Sequence, residues 1–321
     1  MWLPSQSPTM EIIYYPDDPS PFAWRRPVLA LGNFDGLHRG HLKILDQVRN
    51  RAIDVGGTST ILTFDPHPSR IVRPDKAPTL LMTKDQKLEW LGETGIDGVA
   101  VVRFTPEMSR WDPAEFVETV LVEWLCVSEV WVGANFLFGR NQSGNFRLLR
   151  EFGARLGFRV EKVDPVRYKE FVVSSTRIRR LITEGQVDEA GALLGHHYVI
   201  EGEVVRGAQR GQREGVPTAN LQTANELLPS DGVYATTITV DGVIHASVTN
   251  VGVRPTFEAA GERVVETHLF DYDGDLYGMH VRLAFVQRLR AEQAFPDAAA
   301  LRRQIETDCT DARALFGRIP L

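Results

Sequence analysis

The chain has 321 residues, 43% hydrophobic and 24% charged, with a formal net charge of −6 and a pI near 5.8. That length fits about two domains of ~150 residues each, with cores large enough to need no staples. The acidic balance points away from nucleic acid as a partner, because such binders carry a basic excess, yet it leaves phosphate ligands open, since local backbone and local cations hold those. Cys126 and Cys309 lie far apart in no metal-ligand spacing. They read as small buried hydrophobes in a reducing compartment. No stretch approaches the ~18 apolar residues of a membrane span, and the opening residues, with Pro4, Pro8, Asp17 and Asp18, lack the grammar of a signal peptide. The expectation is a cytoplasmic protein with neither membrane nor nucleic acid as partner, in which residues 1–9 form a dispensable extension.

In chain order, residues 28–31 form an apolar run, followed by a helical stripe of Leu42, Leu45, Val48 and Ala52. Residues 59–64 read as a strand. Thr83 with Gln86 makes a capping box for a helix through Leu88 and Leu91. Residues 99–104 are again β-branched. Asp112-Pro113-Ala114-Glu115 supplies an N-cap, a proline at the first helical position and an acid in the first turn. A strand at 129–132, a helix near 146–156 and a strand at 158–163 follow. Repeated β-α-β with continuous apolar strands predicts a doubly wound parallel sheet covered on both faces, with ligands at the carboxyl ends of its strands.

From Ser174 to Leu194 the pattern is helical, with Gly185 separating two short helices. Beyond Tyr198 it changes. Segments 199–205, 233–240, 243–248, 264–270 and 281–286 alternate or run β-branched, and Asp241-Gly242 is a two-residue hairpin signal. They predict an antiparallel β-barrel. A terminal helix over 298–316 directs Leu301, Ile305, Ala312 and Leu315 to a core. The expected domains are residues 1–185 and 198–321, joined by a linker at 186–197.

Two constellations carry chemistry in the first half. Gly32-Asn33-Phe34-Asp35-Gly36-Leu37-His38-Arg39-Gly40-His41 lies between the first strand and its helix. Glycines let the backbone approach a ligand, and a helix N-terminus favours phosphate. His38 and His41, three apart, can face the same spot and donate to phosphate oxygens. Taken alone, the segment is also readable as a glycine-rich turn with surface histidines. Val173-Ser174-Ser175-Thr176-Arg177-Ile178-Arg179 closes the half, with hydroxyls that cap a helix and an Arg179 that can grip an oxyanion. On its own it is a common helix cap with a basic face.

Together these motifs resemble the nucleotidylyltransferase superfamily. Thr63-Phe64-Asp65-Pro66-His67-Pro68 and Val132-Gly133-Ala134-Asn135-Phe136-Leu137-Phe138-Gly139 narrow the resemblance to the adenylyltransferase half of prokaryotic bifunctional FAD synthetase. The resemblance implies ATP over Gly32, His38, Gly40 and His41, with Ser174, Ser175, Thr176 and Arg179 toward its phosphates. It also implies that Asn33, Asp35 and Asn135 line the pocket and that Pro66, His67 and Pro68 shape the FMN side. Phe64, Phe136 and Phe138 are candidates to stack on the isoalloxazine.

In the second half an ordered series resembles riboflavin kinase from end to end. It runs through Gly207-Ala208-Gln209-Arg210-Gly211, Gly215, Pro217-Thr218-Ala219-Asn220, Asp231-Gly232-Val233-Tyr234-Ala235 and Asn250-Val251-Gly252-Val253-Arg254-Pro255-Thr256. It ends in Val265-Glu266-Thr267-His268-Leu269 and Gly274-Asp275-Leu276-Tyr277-Gly278. The resemblance implies that Gly207, Gly211 and Gly215 wrap the phosphates of ATP and that Glu266 is the general base. Thr218 and Asn220 offer hard oxygens suited to Mg²⁺. The resemblance places Tyr234 among the cofactor-binding residues and Arg290 and Phe295 in the flavin-covering segment. The phosphate loop departs from the family's Gly-Arg-x-Leu-Gly-Phe-Pro-Thr-Ala-Asn: Gln212 replaces an arginine, Glu214 adds a carboxylate and Val216 removes an aromatic. Riboflavin and FMN are therefore the expected substrates, with ATP, and FAD is the end product. Three alternatives stay open: an adenylyltransferase with a weak or inactive kinase half, a non-catalytic flavin-binding regulator, and a nucleotidylyltransferase acting on nicotinamide mononucleotide or pantetheine phosphate, which would leave the barrel idle.

Overall fold

A computed structural model describes residues 10–206, 218–254 and 262–318. The chain divides into two compact units, one comprising residues 1–79 and 84–173, the other residues 80–83 and 174–321. The expected linker at 186–197 falls inside the second unit, which takes in both helices that follow Ser174.

In the first unit the elements are β1 (Glu11–Tyr15), β2 (Val28–Leu31), α1 (Arg39–Val55), β3 (Ser59–Asp65), α2 (Pro68–Val72), α3 (Lys84–Glu93), β4 (Gly98–Arg103) and α4 (Pro113–Phe116). After them come β5 (Glu129–Gly133), a ribbon of β6 (Leu137–Phe138) and β7 (Gly144–Asn145), α5 (Phe146–Leu156) and β8 (Arg159–Val163). A second ribbon pairs β9 (Arg167–Tyr168) with β10 (Phe171–Val172). The main sheet has the order β1-β4-β3-β2-β5-β8 with every pair parallel. Winding proceeds outward from β2 in both directions, so its switch point lies between β2 and β5. All four residues of β2 are buried, which is why that strand is continuously apolar.

Local signals act as their chemistry requires. Asp112 Oδ1 accepts from the backbone N–H of Ala114 and Glu115 at 2.8 and 3.0 Å, capping α4. Helix α1 buries Ile44, Leu45, Val48 and Ala52. The expected stripe is corrected at Leu42, which is 36% exposed because it lies off the face that Ile44 occupies.

The second unit opens with α6 (Ser175–Thr183) and α7 (Val187–Leu194), separated by Gly185 at φ +80°, a conformation that glycine adopts without strain. Strands β11 (Tyr198–Val205), β12 (Ala219–Thr223), β13 (Gly232–Val240), β14 (Val243–Arg254), β15 (Glu262–Leu269) and β16 (His280–Ala291) precede α8 (Ala298–Phe316). The strands close into an antiparallel barrel, β11-β12-β15-β14-β13-β16. Asp241 and Gly242 turn β13 into β14 with positive φ at both, 47° and 79°.

Barrel strands alternate between an inner and an outer face. Thr236, Ser247, Thr249 and Thr267 point inward, fully or almost fully buried. Their hydroxyls form a chain: Thr236 Oγ1 lies 2.8 Å from Ser247 Oγ and 2.7 Å from Thr249 Oγ1, which is 2.9 Å from Thr267 Oγ1. Each buried hydroxyl thus has a partner, as a dry interior demands. Outside, Val233, Ala235 and Val248 pack against Ala312, Leu315 and Phe316 of α8.

Candidate active sites

In the first unit three chain segments leave the carboxyl ends of neighbouring strands: residues 32–38 after β2, 66–67 after β3 and 134–136 after β5. Phe34, Gly36 and Leu37 all take positive φ, at 51°, 86° and 38°, so the first loop is tightly coiled before α1 begins. His38 is the N-cap of α1, and its Nδ1 accepts from the backbone N–H of His41 at 3.2 Å. That acceptance leaves the ring proton on Nε2, which makes Nε2–H the donor His38 can offer. The rings of His38 and His41 stack with centroids 3.7 Å apart and planes 11° from parallel. A Cβ on Gly40 would lie 3.1 Å from Cε1 and Nδ1 of His38, so the stack leaves no slack for a larger residue there.

Two stacked imidazoles cannot both be cationic cheaply. His41 is held neutral well below its ordinary pKa of 6.5, first by burial, then by His38 and by Lys87. Its Nδ1 is closed to water.

Pro66, His67 and Pro68 stand beside this loop. His67 caps α2, its Nδ1 accepting from the N–H of Ser69 at 3.2 Å, while its Nε2 lies 3.1 Å from the side-chain amide of Asn33. The Asn33 atom that meets the ring is its amide nitrogen, Nδ2, so the His67 imidazole and the loop after β2 are in direct polar contact. Asp35 is buried at the loop's centre. Asn135 lies on an exposed turn. Of the three phenylalanine candidates, Phe138 is corrected to a core residue, 8% exposed and packed on Phe116 and Phe136, and Phe64 and Phe136 are partly buried at its edge.

Sequence reasoning passed over Lys87. Its ammonium donates to Thr63 Oγ1 at 3.1 Å and to the Phe64 carbonyl at 3.4 Å. Burial lowers its pKa, against the opposing pull of Asp35 and Asp65. A signal was available: Lys87 stands four residues before the buried Leu91, on the stripe that should face the core.

The second unit begins with Ser174, N-cap of α6, whose Oγ accepts from the N–H of Arg177 at 3.4 Å. Ser175, Thr176 and Arg179 follow in its first two turns.

On the barrel, Asn220 of β12 stands opposite Glu266 of β15, which stands opposite Asn250 of β14. The neighbouring row, Ala219–Thr267–Thr249, faces inward, so this amide–carboxylate–amide row faces outward on three adjacent strands. It shares the outer face with Val248, one pleat away, which α8 covers. Thr218 precedes Asn220 by two residues and is half-buried. Gly207, Gly211 and Gly215 lie outside the described residues, as do Gln212, Glu214 and Val216.

Two of the expected cofactor-binding residues have partners within the protein. Tyr234 is wholly buried inside the barrel, its hydroxyl donating to the Ser230 carbonyl at 2.5 Å and its ring edge-on to Phe285. The alternation that turns Val233 outward turns Tyr234 in. Arg290 is committed to Asp308 of α8: Nε lies 2.9 Å from Oδ1 and Nη2 2.8 Å from Oδ2, with Asp308 only 3% exposed. Phe295 is half-buried, its ring centroid 5.7 Å from the Arg290 guanidinium.

A wound parallel sheet with a histidine-bearing loop at its switch point, on one chain with a closed barrel bearing an outward carboxylate row, defines a two-domain group-transfer enzyme. Residues 21–177 match the FAD synthetase family and residues 194–316 match riboflavin kinase. A bifunctional riboflavin kinase/FMN adenylyltransferase of Pseudomonas fluorescens is 38% identical over 90% of this chain and 92% of its own length. One of the same description from Listeria monocytogenes is 35% identical over 91% and 93%. The chain belongs to the bifunctional riboflavin kinase/FMN adenylyltransferase family, whose members act in flavin cofactor biosynthesis. A solved structure described as a macrolide-efflux protein from Streptococcus pneumoniae shares the fold with a TM-score of 0.86 and 26% identity, covering 95% of this chain and 99% of that one. Among the described residues no helix here is long and apolar enough to cross a membrane.

Proposed function

We propose that the chain phosphorylates riboflavin to FMN with one ATP and adenylylates FMN to FAD with a second. The observation that carries this is the presence, on a chain matching bifunctional relatives over about nine-tenths of its length, of a site framework in each half. Residues 1–185 are assigned to FMN adenylylation and 198–321 to riboflavin phosphorylation, with 186–197 between them.

In adenylylation a phosphate oxygen of FMN attacks the α-phosphorus of ATP, a new P–O bond forms, and the bond to the β-phosphate breaks to release pyrophosphate. The nucleophile and leaving group are already present, so positioning and charge neutralisation are the enzyme's task. His38 offers Nε2–H to the phosphates, supported by the N-terminus of the 17-residue α1. His41 is held neutral in the stack, so the two imidazoles sit together without charge repulsion. Gly32 and Gly40 let the nucleotide approach, while Asn33 and Asp35 line the pocket. Pro66, His67 and Pro68, locked by the contact between His67 and Asn33, shape the flavin side with Asn135. Ser174, Ser175, Thr176 and Arg179 are assigned to ATP phosphate on the strength of the sequence motif.

In phosphorylation Glu266 accepts the proton of the ribityl 5′-hydroxyl as its oxygen attacks the γ-phosphorus and ADP leaves. Asn220 and Asn250 flank the carboxylate and orient it. Thr218 and Asn220 supply hard oxygen donors, a set that fits Mg²⁺ rather than a soft metal. When bound there, Mg²⁺ neutralises phosphate charge. Gly207, Gly211 and Gly215 take the phosphates by resemblance, and Phe295 meets the flavin.

The test is a crossed pair of variants in the full chain. Glu266→Ala is expected to lower FMN formation ~10²–10⁴-fold, the usual weight of a general base, while FMN is still converted to FAD. His38→Ala should do the reverse. If either variant, folded, loses both activities together, the two-site reading fails. Gln212 and Glu214 favour one second reading, a chain whose kinase step is slow: Gln212→Arg would then raise phosphorylation about tenfold or more, the worth of a charge-assisted contact.

A further inference from the structure

Helix α3 carries a lysine where a leucine would be cheaper. Burying an ammonium is costly unless its donors are met, so a half-buried lysine on an otherwise core-facing stripe calls for a function. Its contacts lie at the end of β3, beside the loop assigned above to adenylylation. The Lys87 ammonium donates to Thr63 Oγ1 and to the carbonyl of Phe64, the last residues of β3 before Asp65. Thr63 Oγ1 in turn donates to the carbonyl of Asn33 at 3.1 Å, the second residue after β2. One cation therefore ties a helix to two strand ends, and through Thr63 to the loop that carries Asn33, Asp35 and His38.

The charges around it are accounted for from every side. Asp35 comes from the loop after β2 and Asp65 from the end of β3. Lys84 stands one turn earlier on α3, 3.3 Å from Asp65, and His41 stands on α1. The two carboxylates balance the two lysines, and His41 is kept neutral. Taking Lys87 away would remove a positive charge that acts on the buried Asp35 and the donor that meets Thr63 Oγ1.

We propose that Lys87 is a positioning residue of the adenylylation site, fixing the Asn33–Asp35 turn relative to β3 so that both bound phosphates meet His38 in one geometry. This rests on the adenylyltransferase reading above. Because burial and Lys84 lower its pKa from the usual lysine range, its charge is lost at a lower pH than a surface lysine's would be.

The experiment uses the full chain with Lys87→Met and Lys87→Arg, measuring FMN-to-FAD turnover from pH 7 to 10 and riboflavin phosphorylation in the same preparations. Lys87→Met is expected to lower kcat for FAD formation about tenfold or more, with KM for FMN changed far less and phosphorylation within about twofold of the parent. Lys87→Arg should recover much of kcat and move the alkaline decline of turnover to higher pH, because arginine keeps its charge. Wild-type turnover by Lys87→Met overturns the inference alone. A parent chain that forms no FAD overturns the adenylyltransferase reading and this inference with it. Should Lys87→Met fail to fold, the pH profile of Lys87→Arg decides: an alkaline limb identical to the parent's overturns the proposal.

Discussion

At the scale of single residues the site proposed for adenylylation is organised by the backbone hydrogen bonds of its imidazoles. His38 Nδ1 accepts from the N–H of His41 in its own helix, and His67 Nδ1 accepts from the N–H of Ser69 while its Nε2 lies 3.1 Å from Asn33 Nδ2. His41 is neutral in the fold, and its sign follows from linkage. A histidine whose folded pKa lies below its unfolded value contributes stability above about pH 6.5, and that contribution is lost as pH falls toward the folded pKa, since the unfolded chain then binds the proton. Thermal unfolding between pH 7.5 and 5.5 should therefore show melting temperature falling with acidification, and less steeply in His41→Gln. A slope unchanged by that substitution would count against a neutral, buried His41. Gly40→Ala should crowd the His38 ring and lower FAD formation by about tenfold while phosphorylation persists, as measured by chromatography of the flavins. The sequence placed His38, Gly40 and His41 together on the turn between β2 and α1, and the structure shows them there as a capped, stacked cluster. Lys87 was not legible in the sequence, because a helical stripe tells which side a residue faces but not which strand end waits there. Belonging to a motif does not say which face of a strand a side chain takes: Tyr234 turns into the barrel and Arg290 pairs with Asp308.

At the scale of elements, α8 covers the barrel's outer face and is pinned by Arg290 and Asp308. Both are largely buried, with side-chain exposures of 20% and 4%, and Gln304 Nε2 donates to Asp308 Oδ1 at 3.0 Å. Removing one partner of such a pair strands the other's charge, at about 3–5 kcal/mol. Asp308→Ala should accordingly unfold at markedly lower denaturant, and Asp308→Asn, which keeps one acceptor for Arg290, should fall between; equal midpoints for all three chains would refute the anchoring role. Most elements could be placed from periodicity to within a residue or two, α5 and α8 among them. Strand β12 could not, because Pro217-Thr218-Ala219-Asn220 reads as a loop, and its pairing with β11 and β15 depends on residues far away in sequence. Strand β1 escaped for a similar reason: it adds to the edge of the sheet beside β4, after the wound core is already complete.

At the scale of the whole molecule, two units with separate cores carry two phosphate chemistries. The parallel sheet supplies backbone N–H groups and imidazoles at its strand ends, suited to holding two anions while an α-phosphorus is displaced. The barrel supplies a carboxylate between two amides on an outward face, suited to activating a hydroxyl. The measurement that bears most directly on this division is a time course with riboflavin, ATP and Mg²⁺, the flavins resolved by chromatography. FMN should rise first and then give way to FAD, and Glu266→Ala should consume riboflavin ~10²–10⁴-fold more slowly yet convert supplied FMN to FAD. Riboflavin unchanged by the parent chain, or FMN accumulating with no FAD at any time, would contradict the account.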